Sequence, residues 1–185
     1  MRRFAGLLSL GLVGLSACKE VARLRGGGDD IEVHWTGADQ GKVSGTATAE
    51  WCSLLRLLEV QALAGDTGVA LAIYPTDTLA AGKYPVMDPA KAESLPPAAG
   101  LALRWPTQTS IKGFQGESGS VVLERSGSGQ LSGSVAAVAR SITDNGRLRV
   151  TGTFRDLTVR PSTRGCVRAG RDTARNAPPA DTLIH

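Results

Sequence analysis

Aromatic residues are scarce in this chain of 185 residues: three Trp, two Tyr and three Phe, or 4% of the total. Histidine is rarer still, with only His34 and the last residue, His185, so a histidine-built metal site or a Ser-His-Asp triad has little to draw on. Three cysteines are too few for a disulfide-dense scaffold. No Gly-x-Ser-x-Gly elbow occurs, which removes the usual signature of the α/β-hydrolases. Long apolar runs are absent too. The longest, Phe4 to Leu15, is about a dozen residues against the roughly 20 that a membrane span needs. Charge of one sign is also lacking, since 21 Lys+Arg face 17 Asp+Glu.

What stands at the N-terminus is an export signal: Arg2 and Arg3, the apolar segment, then small residues before a cut. Arg2-Arg3 hints at twin-arginine export but also serves as a simple basic start. Leu15-Ser16-Ala17-Cys18 resembles the lipobox of bacterial lipoproteins. That resemblance implies a signal peptide over residues 1–17, cleavage before Cys18, and acylation of the Cys18 thiol by fatty acids such as palmitate. The chain is then held in the bacterial cell envelope by its lipid. Lys19, rather than aspartate, follows the cysteine, which by the same resemblance points to the outer membrane where the host has two. Cleavage removes two arginines and leaves an excess of two positive charges, too weak to suggest nucleic acid as a partner. With Cys18 assigned to the lipid, Cys52 and Cys166 remain as a pair in an oxidising compartment and are expected to form a disulfide.

Residues 18–28, ending in Gly26-Gly27-Gly28, form the lipidated cysteine and a flexible tether, and residues 168–185 read as a disordered tail. Between them, residues 29–167 are one domain in which apolar side chains alternate with period two. Ile31, Val33 and Trp35 face one way, as do Val43, Ala47 and Trp51, then Val69, Leu71 and Ile73, then Leu101, Leu103 and Trp105, then Leu148, Val150 and Phe154. After Phe154 the frame slips to Leu157 and Val159, which predicts a bulge near Arg155-Asp156. Residues 53–63 fit a helix through Leu54, Leu57 and Leu58, or a helical turn followed by a strand that pairs back through Gly65-Asp66-Thr67-Gly68. The second reading is preferred. Asn145-Gly146 signals a two-residue hairpin, and Pro85 to Pro97 a crossover loop with one helical turn. Glycines within Val43-Ser44-Gly45, Leu131-Ser132-Gly133 and Val150-Thr151-Gly152 call for strong curvature or close approach. The expected fold is all-β: a single antiparallel β-sandwich or strongly curved barrel with at most a short helix. Such strands resemble the β domains of lipoproteins of unassigned function.

The sharpest catalytic motif is Asp66-Thr67-Gly68, which resembles the half-site of the aspartic proteases and would need a second copy to supply the other carboxylate. Against it, Ala64-Gly65 interrupts the apolar approach, and the three residues suit a hairpin turn. His34 falls on the polar face of its strand. Asp29-Asp30 could touch calcium but lacks a third donor, so no metal or cofactor is expected. Six arginines from Arg155 to Arg175 form the one basic run. Trp35, Trp51 and Trp105 fit a core, or the lining of an apolar ligand site. The preferred function is a monomeric, lipid-anchored, non-enzymatic binding or structural module whose partners are the membrane and an envelope protein. The alternative is a lipocalin-like carrier of an apolar small molecule, and a protease is the third possibility.

Overall fold

The computed structural model describes residues 29–125 and 129–162. Its strands are β1 (Asp30–Gly37), β2 (Gly41–Cys52), β3 (Leu57–Ala64), β4 (Thr67–Tyr74), β5 (Gly82–Pro85), β6 (Ala98–Pro106), β7 (Ile111–Arg125), β8 (Leu131–Ser141), β9 (Arg147–Leu157) and β10 (Val159–Pro161), with one short helix, α1 (Pro89–Ser94), before β6. Strand β1 pairs with β2 on one side and β9 on the other, and β3, β4, β6, β7 and β8 complete the ring. The result is a closed barrel of eight antiparallel strands, each beside its neighbour in the chain, broken only by the excursion through β5 and α1. Closure removes the long open edges that a sandwich would carry.

The period-two pattern supplies the core. Val33, Leu58, Leu71, Ile73, Val121 and Val150 expose 0% of their surface, and Leu101, Leu148 and Phe154 expose 1%. An eight-stranded barrel is just wide enough for its inward side chains to fill it. These inward side chains belong to one buried hydrophobic cluster. The outer wall carries the alternate residues, including the exposed Glu32, His34, Gln61, Arg149 and Thr151. That polarity is the reverse of a membrane-spanning barrel, whose outward band is apolar.

Two of the three hydroxyl-glycine motifs mark a close approach between strands, while Gly45 has nothing within 4 Å of its Cβ position. A Cβ on Gly152 would sit 2.5 Å from the Glu32 carbonyl oxygen, and one on Gly133 would sit 2.2 Å from that of Val122. Only hydrogen fits between these strands. The frame slip in β9 is a bulge: Leu131 faces Leu157 while Gly133 faces Phe154, so three steps on β9 match two on β8. Asp156 takes φ +53° there, and its N–H donates to Ser132 Oγ at 2.9 Å. The bulge returns Leu157 to the interior, where it is fully buried.

Residues 53–56 form a turn and β3 begins at Leu57, so this segment is the strand of the preferred reading. Gly65, at φ +60°, and Asp66 make the two-residue link to β4. The Asn145-Gly146 hairpin is longer than expected. Its connection runs over residues 142–146, because Ser141 Oγ accepts from the Thr143 and Asp144 N–H groups and Asp144 Oδ1 accepts from Gly146 N. The crossover does contain one helical turn, α1, with Asp88 capping it through Ala90 N. Strand β7, the longest, has no counterpart in the alternating pattern, and glycines at 113, 116 and 119 are the reason.

Strand directions give the barrel two distinct mouths. At the hairpin mouth lie the tight connections 38–40, 65–66, 107–110 and 142–146. At the entry mouth the chain comes in at Asp29 and leaves after β10, and the links 53–56 and 75–97 lie there as well. Asp29 ties this end together: its carbonyl accepts from Ala47 N and its Oδ1 from Thr158 N.

Candidate functional site: the two mouths of the barrel

Four of the scarce aromatics, Trp35, Trp51, Trp105 and Phe114, stand near strand ends at the mouths. At the hairpin mouth, Trp35 stacks on Trp105 with centroids 5.0 Å apart, and Trp105 stacks on Phe114 at 5.1 Å. Offset stacks of this kind are favoured packing for ring quadrupoles. Trp35 lies over Gly41, where a Cβ would approach its ring to 2.4 Å. Its buried Nε1 has no hydrogen-bond partner among the described residues. Lys112 closes this end by donating to Asp39 Oδ2 at 2.8 Å.

That hydrogen bond is the main reason the Asp39 carboxyl titrates below the usual carboxylate range, helped by the Gln40 N–H and by Trp105. A depressed folded pKa stabilises the fold above the unfolded value near 4, and the contribution is lost as pH falls through the folded value. Tryptophan emission should therefore hold steady from neutral pH to about pH 4 and shift only below it. In Asp39→Asn that acid step should be missing. A step of equal size in the variant would show that Asp39 is not its source.

At the entry mouth, Trp51, Leu79, Val159 and Pro161 line a largely apolar groove of about 350 Å³ together with Asp77, Thr78, Arg125 and Arg160. Trp51 and Val159 reach it because β10 lies parallel to β2 with Val159 opposite Ala49 and Pro161 opposite Trp51. Arg125 donates to the Leu79 carbonyl across the opening. The three tryptophans thus do not share a cavity. Trp35 and Trp105 are packed together at one end, and Trp51 lines a groove at the other. Cys52 is buried beside Trp51, and its Sγ accepts from Leu55 N at 3.3 Å. Cys18 and Cys166 lie outside the described residues, as do the signal segment and the tail.

The remaining candidates take ordinary structural places. His34 is half-exposed and pairs with Glu32 at 2.9 Å on the outer wall. Asp66 sits exposed in its turn, beside a shallow groove with Leu63, Arg104 and Ile111. The Asp29 carboxylate is engaged by backbone. Among the described residues no group of three or more His, Cys, Asp or Glu could hold a metal ion. Of the basic run, Arg155 and Arg160 are described, and Arg160 lines the entry-mouth groove. Sequence reasoning did not reach Leu79 and Arg125, which join Trp51 only through the ring order of the strands. Protein-family models, curated proteins and solved structures were each compared with the chain, and none matches it.

Proposed function

We propose that this chain is a lipid-anchored β-barrel of the bacterial envelope, acting as a non-enzymatic binding or structural module. The observation that carries this reading is the barrel's polarity. The chain enters and leaves at one mouth, so a lipid on Cys18 sets that mouth toward the membrane and turns the hairpin mouth away from it. At the hairpin end, Leu63, Ile111 and Ile142 expose 64%, 69% and 56% of their surface, apolar area that an anchored module can offer to an envelope protein. A lipocalin-like carrier would need a chamber inside the barrel, where the described inward side chains form a buried hydrophobic cluster. A protease built on Asp66 would need a second copy to bring another carboxylate to that exposed turn.

The test is the anchor itself. Cys18→Ser should move the protein out of the membrane fraction and abolish incorporation of a fatty-acid probe. Undiminished labelling of the variant would remove the lipobox reading and with it the orientation.

A further inference from the structure

We propose that the entry mouth is a second membrane contact, a surface that docks on anionic phospholipid with Trp51 at the depth of the acyl chains. This rests on the anchored orientation above and assigns a role to the face it turns toward the membrane. Three features of that face point the same way. The floor of the groove, Trp51, Leu79, Val159 and Pro161, is apolar and open to solvent. Leu54, in the turn between β2 and β3 at the same mouth, stands 81% exposed, and Leu95, three residues before β6 begins there, 60%. An apolar side chain held out on a loop has little to do in water and much to gain at a headgroup boundary.

The charges around the groove suit phosphate. Arg125 and Arg160 line the groove, and among the described residues neither meets a carboxylate in an ion pair. The groove also carries one acid, Asp77, which lies 3.6 Å from Arg56, and Glu50 accepts from Ser162 Oγ at 3.1 Å. Distance permits the contact. Ten residues, 19–28, separate the lipidated cysteine from Asp29. Even fully extended they reach no further than about 40 Å. A surface kept that close to a bilayer needs only weak affinity of its own, because tethering supplies the effective concentration.

The test uses residues 19–185, which contain the whole barrel and no acyl chain, so it is independent of the anchor. Vesicles of phosphatidylglycerol and phosphatidylcholine should bind this protein, and pure phosphatidylcholine vesicles much less. Arg125→Gln with Arg160→Gln should weaken binding about 25-fold, at roughly a factor of five for each cation near a charged surface. Leu54→Ser, in an exposed turn where folding is not at stake, should weaken it as well. Phospholipids brominated on their acyl chains should quench part of the tryptophan emission, and that part should vanish in Trp51→Phe, since Trp35 and Trp105 sit at the far mouth. Quenching that persists in Trp51→Phe, or failure to bind anionic vesicles, would overturn the proposal. Vesicle binding alongside failed fatty-acid labelling of the full chain would sustain the contact and sink the anchor. The reverse pair of results would do the opposite.

Discussion

Gly133→Ala should destabilise the barrel by more than about 3 kcal/mol, several times the cost of an ordinary strand substitution. The added Cβ would stand 2.2 Å from the Val122 carbonyl oxygen, 2.5 Å from Phe154 Cζ and 2.8 Å from Phe154 Cε2. Neither neighbour can retreat. Phe154 is 1% exposed in the hydrophobic core, and Val122 belongs to β7, which is hydrogen-bonded into a closed ring. In an open sheet a strand can slide outward to relieve such a clash. In a barrel the shift must pass around all eight strands. Gly100→Ala is the control, because its Cβ would meet Pro89 at an ordinary 3.6 Å and should change stability by less than about 1 kcal/mol. Urea or thermal unfolding separates the two, with a loss of about 10 °C or more in Tm expected for Gly133→Ala alone. Adding Phe154→Leu should recover only part of it, since the ring clash goes and the carbonyl clash stays. Equal stability of the Gly100 and Gly133 variants would mean that β8 is not held against β7 as described.

The same residues show why much of the fold is legible in the sequence and some is not. Alternation marks a strand when one face is buried and the other wet, and β1, with Ile31, Val33 and Trp35 inside and Glu32 and His34 outside, is a direct case. The bulge in β9 is legible for the same reason, as a break in a frame that is regular on both sides. Strand β7 hides because glycine stands where an alternating residue is expected. Gly113 leaves room for Ile142, Gly116 for Val86 and Leu101, and the pairing with β8 shifts between Gly116 and Ser118. The length of the 142–146 connection depends on Ser141 and Asp144 hydrogen-bonding to backbone, which the Asn145-Gly146 pair by itself does not reveal. For the mouths, each tryptophan is visible as an apolar position at a strand end. Which end of the barrel it closes depends on strand direction and ring order. So does the meeting of Trp51 with Leu79 and Arg125, brought together from three separate segments.

Breaking the expected Cys52–Cys166 bridge should cost about 2–5 kcal/mol, the other large effect in this molecule. Strand β10 runs parallel to β2 with Pro161 opposite Trp51, and Ser162 N donates to the Trp51 carbonyl at 2.9 Å. The chain therefore passes Cys52 just as it leaves the described domain. Cys166 follows Ser162 by four residues, a stretch that reaches at most about 14 Å, ample for the Cα separation of about 5.5 Å that a disulfide prefers. The bridge would close a loop of more than a hundred residues, nominally worth about 5 kcal/mol in the chain-entropy model. It would also pin β10, a three-residue strand that holds Val159 and Pro161 over the entry mouth. Intact-mass measurement should show two hydrogens gained on reduction. Cys52→Ala and Cys166→Ala should each lower stability, and the double substitution should cost little more than either alone, because one bond is lost in all three. Two thiols that alkylate freely in the native, unreduced protein would refute the pairing. Full additivity of the two substitutions would show that the cysteines act separately, leaving the groove at the entry mouth held only by the backbone hydrogen bonds of β10.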